Sequence, residues 1–284
     1  MSATVFLVVI TAALLHALWN ALLKGNSDKL VGMTAIVVGH MIPSAIALLF
    51  VPMPLEASYP YLLGGLVGHF GYQIFLSNAY RIGDFTQVYP IARGTGPLLV
   101  TLVSVFLLGE QLSSLEILAV MLIIIGIISL SIVRQGDGLR NPKAASMALV
   151  TGCFIATYSI FDGLGARLSG SPVGFMSLLM LFNGVLFVGY LSMRNPHIVK
   201  MAWQDAKPTL FLGGIGSYIA YVLVVWAFTQ APIPLVTALR ETSIVFAILI
   251  GVFFFREKLN LAKVMATAFS LAGAALLRFG KFLV

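Results

Sequence analysis

The sequence predicts an all-α, polytopic membrane protein with ten transmembrane helices arranged as two inverted five-helix repeats. Three observations lead to this fold class. The 284 residues are 60% hydrophobic and only 10% charged, whereas soluble domains carry roughly 25% charged residues. Ten apolar stretches are each long enough to cross a hydrocarbon core, which takes about 20 helical residues. Finally, one pattern of residues occurs twice.

The predicted spans follow one another with short polar breaks between them. They are residues 3–23, 30–52, 60–80, 85–108, 115–133, 145–165, 172–192, 209–230, 232–255 and 261–279. These runs are continuous and longer than the alternating strands of a membrane barrel. The breaks are too short to form a soluble domain. The first span has no basic segment before it, which predicts a retained helix and not a cleaved signal peptide.

A repeated pattern divides the spans into two groups of five. A shift of 147 residues carries Arg93 onto Arg240 and Glu110 onto Glu257. The same shift carries Gly126 onto Gly273, as expected for two related halves.

The predicted repeats are residues 1–134 and 144–284. Because each repeat has an odd number of spans, the second copy enters the membrane from the opposite side. The two halves are therefore predicted to be related by a pseudo-two-fold axis in the membrane plane.

Lysine and arginine are distributed unequally between the two faces. Twelve lie in loops that follow odd-numbered spans, and three lie on the opposite face. The positive-inside rule then places the first face in the cytoplasm and both chain termini outside. The net charge of +7 suits contact with anionic lipid headgroups, and nucleic-acid binding is not expected.

The charged residues expected within the membrane are Arg93, Arg240, Asp162 and Glu241. An unpaired charge at a helix centre costs roughly 2.5–3.5 kcal/mol, so these groups should pair or face a cavity. Counting residues from the span ends places Asp162 at the same depth in the membrane as Arg240, and Asn20 at the same depth as Arg93. The sequence therefore predicts an Arg240–Asp162 ion pair and an Arg93 without a counter-ion, open to a carboxylate or phosphate.

A purely structural interpretation of the arginines stays open. Arg240 and a neighbouring carboxylate could form an ion pair that only locks two helices. Arg93 could be satisfied by Tyr89, His69 or backbone carbonyls.

Both arginines lie in helix that the sequence weakens. Pro90 and Pro97 flank Arg93, and Pro232 and Pro234 open span 9. Broken helices at corresponding positions of two halves indicate a transporter's binding site. Proline is also ordinary in membrane helices, so packing alone could explain it.

The remaining candidate residues are aromatic or hydrogen-bonding groups that could line a central cavity. They are His16, Trp19, Asn20, His69, Tyr72, Gln73, Tyr89, Tyr158 and Tyr221. Asp162 is predicted to act as a counter-ion and a proton carrier, with Glu241 as a second carboxylate. Simple packing is the alternative for the histidines.

Other features are expected to be structural. The glycine clusters 64–68 and 213–216 predict close helix packing. Glu110 and Glu257 are expected to fix tight turns, just before Ser113 and Asn260, which can cap the following spans.

Several segments resemble EamA-type transporters of the drug/metabolite transporter superfamily. They are residues 16–24, 108–112, 162–167 and 255–259, and the resemblance covers essentially the whole chain. It implies a multi-pass metabolite transporter of the plasma membrane (the bacterial inner membrane), often an exporter of amino acids or similar solutes. It also implies cytoplasmic termini, opposite to the orientation that the charge distribution predicts.

The sequence lacks nucleotide-binding, metalloprotease and serine-hydrolase motifs, so no enzyme activity, cofactor or metal is expected. We predict a secondary transporter of a small amino-acid-like, carboxylate or anionic solute that works by alternating access, with proton coupling as an open option. The alternatives are efflux of cationic drugs and a sensor or scaffold that transports nothing. Replacing Arg93 by alanine is expected to abolish transport. Substrate, direction, coupling ion and oligomeric state are not fixed by the sequence.

Overall fold

The computed structural model describes residues 1–83, 85–132, 141–254, 256 and 261–280, and these residues form helices and their connections without any strand. The helices are α1 (Ala3–Gly25), α2 (Lys29–Ala47), α3 (Tyr59–Ile82), α4 (Phe85–Phe106), α5 (Ser114–Ile132), α6 (Pro142–Leu168), α7 (Pro172–Arg194), α8 (Ile198–Asp205), α9 (Gly214–Phe228), α10 (Ile233–Arg240), α11 (Ser243–Phe253) and α12 (Leu261–Phe279). A 3-10 turn, Glu56–Ser58, precedes α3, and a π-helical turn, Thr209–Gly213, precedes α9.

Each predicted span contains helical residues, although α2 ends at Ala47 and leaves the last five residues of span 2 outside a helix, and the short helix α8 lies between spans 7 and 8. Within the described residues, seven helical stretches are long and apolar enough to cross a membrane. They are Ala3–Gly25, Lys29–Ala47, Val88–Phe106, Pro142–Leu168, Pro172–Arg194, Thr209–Phe228 and Ile233–Phe253, with a shorter apolar stretch at Ser114–Ser129. The structure therefore supports seven of the ten predicted spans by length and composition. α3 has 24 residues, but His69, Gln73 and Asn78 lower its hydropathy.

Span 9 is broken between α10 and α11. The Glu241 N–H donates to the Ala238 carbonyl at 3.0 Å, and the Thr242 N–H donates to the Leu239 carbonyl at 3.1 Å. These bonds join residues three apart, so the helix tightens and stops. Arg240 consequently ends α10, where the helix dipole favours a cation.

The corresponding helix of the first half, α4, is not broken. It runs continuously through Pro90 and Pro97. Because Pro97 has no N–H, the carbonyl of Arg93 cannot take its usual helical hydrogen bond. The expectation of two broken helices is therefore correct for span 9 and wrong for span 4.

The two halves of the chain are interleaved. α3 packs against α6 and α1 against α9, while α2 packs against α7 and α5 against α12. A Cβ on Gly68 of α3 would lie 2.8 Å from the backbone nitrogen of Tyr158, and a Cβ on Gly214 would collide with the backbone of Gly39 in α2. These two contacts confirm the close packing predicted for the glycine clusters.

The repeated glycines bring α5 and α12 together in a reciprocal contact. A Cβ on Gly126 would lie 3.0 Å from the Ala266 carbonyl oxygen, and one on Gly273 would lie 2.6 Å from the Ala119 carbonyl oxygen. The 147-residue shift that relates the glycines also relates Ala119 to Ala266. Each half therefore presents the same surface to the other.

Loops that the predicted ten-span topology would place on one face lie in contact in the structure. We call one of the two faces the terminal face, which includes residue 1 and the connections 48–58, 107–113, 169–171 and 229–232. On this face, the Leu55 N–H donates to the Ser169 carbonyl at 2.9 Å. We call the opposite one the basic face, which includes residues 26–28, 83, 141 and 195–208. On this face, the Asn141 side-chain amide donates to the Ile82 carbonyl at 2.7 Å.

Ser113 caps α5 as predicted, because its side chain accepts from the Glu116 N–H at 3.3 Å. Glu116 completes the cap by accepting from the Ser113 N–H at 3.0 Å. Asn260 and the turn at Glu257 lie outside the described residues.

Candidate functional site

The two repeated arginines lie close to one carboxylate in the interior, where α4 meets the break between α10 and α11. Arg93 Nε lies 2.7 Å from Glu241 Oε2, and Arg240 Nη2 lies 3.6 Å from Glu241 Oε1. The exposed fractions of Arg93, Arg240 and Glu241 are 6%, 1% and 1%. Two buried guanidinium groups therefore share one carboxylate.

Arg93 is the better satisfied of the two arginines. Its Nη2 donates to Ser243 Oγ at 3.2 Å, and its guanidinium carbon lies 5.8 Å from the ring centre of Tyr89. The prediction that Arg93 lacks a counter-ion is wrong, because Glu241 fills that role. Depth along the helices did not reveal this pair, since Glu241 lies in the helix break and its side chain turns toward α4.

Arg240 has the looser contact with the shared carboxylate, at 3.6 Å against 2.7 Å for Arg93. In the described part of the chain, its Nε and Nη2 atoms have no hydrogen-bond partner, and neither has Arg93 Nε, while Tyr221 makes a side-chain hydrogen bond with Arg240. Its guanidinium carbon lies 5.9 Å and 5.8 Å from the ring centres of Tyr158 and Tyr221, which is within cation–π range. The looser ion pair is therefore that of Arg240, whereas the sequence had predicted that Arg93 would be the arginine without a counter-ion.

Asp162 pairs with α3 and α9 and not with α10. Its Oδ2 lies 2.8 Å from His69 Nε2 and accepts from the Tyr221 hydroxyl at 3.1 Å. It is 0% exposed, and among the described residues its Oδ1 has no hydrogen-bond partner. The predicted Arg240–Asp162 ion pair is therefore wrong. Asp162 is directed toward α3, where the absence of a side chain at Gly65 leaves room for it.

Aromatic rings surround the His69–Asp162 pair. His69 stacks on Tyr158 with ring centres 4.2 Å apart. Tyr72 and Tyr221 place their rings edge-on to Tyr158 at 5.8 Å and 5.9 Å. Tyr158 therefore lies between His69, on which it stacks, and Arg240, which is close to the rings of Tyr158 and Tyr221.

The candidates on α1 contact one another. His16 and Trp19 meet edge to face at 4.8 Å, and the Asn20 amide donates back to the His16 carbonyl at 2.7 Å. Asn20 is therefore engaged by its own helix. Gln73 of α3 is buried, and across the described ranges its Oε1 has no hydrogen-bond partner.

The sequence did not identify Ser243 or the His69–Asp162 contact. A detectable signal existed for Ser243, because the 147-residue shift places Glu241 on Gly94 and Ser243 on Gly96. The second copy therefore carries two polar residues where the first carries two glycines. The contact of His69 depends on how α3 and α6 rotate about their axes, which the sequence does not show.

The formal charges of this central cluster balance. Arg93 and Arg240 carry two positive charges, while ionised Glu241 and Asp162 carry two negative ones. A proton added to the His69–Asp162 pair would leave the cluster with one net positive charge.

A surface pocket of about 150 Å³ on the basic face, lined partly by the 26–28 loop, is not part of this cluster. Within the described residues, no group of three or more potential ligands could hold a metal ion.

One comparison with known proteins identifies a family. A model of the EamA-like transporter family matches residues 3–132 and 142–279. One solved structure, described only as the crystal structure of a protein, has a TM-score of 0.70 and 19% identity, and the match covers 97% of this chain and 96% of that one. At this identity the likeness shows the fold alone. No match was found among curated proteins.

Proposed function

The chain belongs to the EamA-like transporter family, whose members are membrane transporters and not enzymes, and from this premise we propose that it is a secondary transporter of a small anionic solute. The solute carries a carboxylate or another anionic group, and amino-acid-like metabolites fit this description. The bilayer in question is the plasma membrane, the inner membrane of a bacterium.

The two family repeats would be inverted copies that cross the membrane five times each, as residues 1–134 and 144–284. The pairing of helices supports this arrangement, because α3 with α6 and α1 with α9 are equivalent pairs under exchange of the halves. The reciprocal contacts of Gly126 and Gly273 support it as well. A polytopic chain of this kind moves its solute by alternating access between the halves.

The observation that carries the proposal is the incomplete compensation of Arg240. Two of its nitrogen atoms lack hydrogen-bond partners in the described part of the chain, although the residue is 1% exposed. A planar guanidinium presents these donors in a fork that matches a carboxylate or phosphate group. An anionic solute that reached Arg240 would gain charge-assisted hydrogen bonds in a site of low dielectric.

The site would take up a proton together with the anion. His69 and Asp162 lie 2.8 Å apart and can hold one proton between them. Protonation of this pair would give the cluster a net positive charge, which an anion at Arg240 would neutralise. Binding of each partner would therefore favour binding of the other.

Efflux of cations is the less favoured alternative. It would need a carboxylate that is free to meet the solute. Asp162 is engaged by His69 and Tyr221, and Glu241 is engaged by Arg93. Asp162 Oδ1 has no hydrogen-bond partner among the described residues, but a cation there would also meet the two positive charges of Arg93 and Arg240 in the same cluster.

Solute counterflow into proteoliposomes tests the proposal. We expect a set of small carboxylates and phosphates to exchange through the wild-type protein, with inorganic and organic cations inactive. Arg240→Lys should reduce the exchange by more than about tenfold, since a lysine cannot reproduce the guanidinium fork. Arg194→Lys is the matched control, because Arg194 is exposed at the end of α7. Exchange of cations with anions inactive, or full activity of Arg240→Lys, would contradict the proposal.

A further inference from the structure

On the terminal face, Glu110 connects the first repeat to the second. Its Oε1 lies 2.8 Å from Arg167 Nη1, and its Oε2 accepts from the Ile233 N–H at 3.2 Å. Glu110 belongs to the turn between α4 and α5, whereas Arg167 lies in the last turn of α6 and Ile233 begins α10. The expectation that Glu110 only fixes its own turn is therefore too narrow.

Arg167 extends the same group of contacts. Its Nε donates to the Phe228 carbonyl at 2.9 Å, and its Nη2 donates to the Ala231 carbonyl at 3.1 Å. These two carbonyls belong to the end of α9 and the connection to α10. We call Glu110, Arg167 and the backbone of residues 228–233 the terminal clasp. It holds the α9–α10 connection between α6 and the first repeat.

The terminal clasp and the central cluster lie at opposite ends of one short helix. α10 has eight residues, which corresponds to about 12 Å of helix. Glu110 contacts its first residue, where the helix dipole favours a carboxylate, and Arg240 is its last residue. A displacement of the first turn of α10 would therefore be transmitted to the guanidinium of Arg240.

We propose that Glu110 is a positioning residue for transport, and that the terminal clasp is a gate that closes the terminal face over the central cluster. This inference rests on the proposed transport function. The clasp is shut while the cluster is buried, with Asp162 at 0% and Arg240 at 1% exposure.

The exposure of the clasp fits a contact that breaks and re-forms. The side chains of Arg167 and Glu110 are 32% and 14% exposed, so water can replace each partner when they separate. A partly exposed ion pair of this kind contributes less to stability than a fully buried one. The ion pair of Arg93 and Glu241 is buried and would be costly to break. Opening is therefore expected at the clasp, with the interior pair kept intact.

Cross-linking of the clasp tests whether it must open. The variant Glu110→Cys/Arg167→Cys is made with Cys153→Ser, which removes the native cysteine of the sequence. Closing the two thiols with a short bifunctional reagent that is cleaved by reduction should lower solute counterflow by more than about tenfold, the factor set by 1.4 kcal/mol. Reduction should restore it. Undiminished counterflow through the cross-linked protein would show that the clasp stays shut throughout transport, and would overturn the gate.

A second measurement does not depend on any solute. Thr237 lies in α10 one turn before its end and is 0% exposed, so Thr237→Cys reports access from the terminal face to a membrane-impermeant maleimide. Adding Glu110→Gln should raise the labelling rate by about tenfold, whereas Glu56→Gln, an exposed carboxylate on the same face, should leave it unchanged. Equal labelling in both variants would overturn the proposal. If no solute is transported but labelling still depends on Glu110, the gate is retained and anion transport is refuted.

Discussion

Replacing Glu241 by glutamine removes the carboxylate that both buried arginines share. Coulomb's law at an effective dielectric constant of about 20 gives about 6 kcal/mol for the 2.7 Å contact with Arg93, and about 5 kcal/mol for the 3.6 Å contact with Arg240. Desolvation of the carboxylate opposes these terms. Losing one partner of a buried ion pair therefore costs about 3–5 kcal/mol in measured cases.

The loss should appear as a lower unfolding temperature of the detergent-solubilised protein. For a chain of this size, 1 kcal/mol corresponds to about 2–4 °C, so Glu241→Gln should unfold on the order of 10 °C below the wild type. The exposed Glu56→Gln is the control and should stay within about 2 °C. Saturating anionic solute should return part of the loss, because an anion can replace the missing charge.

A stability of Glu241→Gln equal to that of the control would refute this reasoning. It would mean that the two arginines are compensated by other groups, and that the cluster does not need an anion. If no anion restores any of the stability lost in Glu241→Gln, the ion pairs of Glu241 would have a structural role only.

The remaining predictions concern packing, coupling and orientation. Gly273→Ala should destabilise the protein by about 1–3 kcal/mol in thermal unfolding, because its Cβ would meet a carbonyl oxygen at 2.6 Å; Gly189→Ala, with nothing within 4 Å, should not, and equal effects would argue against the close α5–α12 contact. Asp162→Asn and His69→Gln should each abolish the stimulation of anion uptake by an inward proton gradient, and retained stimulation in both would exclude the pair as the proton site. A reporter fused after Val284 should behave as extracellular, and cytoplasmic activity would reverse the orientation inferred from the charge distribution.

The helices were predictable because each membrane span needs its own apolar run. α1, α3 and α7 begin and end within about two residues of the predicted bounds, which is the usual uncertainty of such boundaries. The break in span 9 was expected from Pro232 and Pro234, but it falls after Arg240. Proline in the first turn of a helix costs no hydrogen bond, so these two residues start α10 and do not break it.

The partners of the charged residues were only partly predictable. Depth along a helix fixes the level of a side chain, but not its direction around the axis. Asp162 was correctly expected to need a partner, yet it turns toward His69 and away from Arg240. The repeat identified both arginines, but the asymmetry between them follows from Glu241 and Ser243, which occur only in the second copy.

Ligand-dependent thermal stabilisation of wild type and Arg240→Lys tests the central claim most directly. A solute at 100 times its Kd raises stability by about 2.7 kcal/mol, which is measurable as a shift in Tm. We predict that one or more small carboxylates or phosphates stabilise the wild type, and that the shift is lost in Arg240→Lys while Arg194→Lys keeps it. An anion that stabilises Arg240→Lys as strongly as the wild type, or stabilisation by cations alone, would contradict the assignment of Arg240 as the anion receptor.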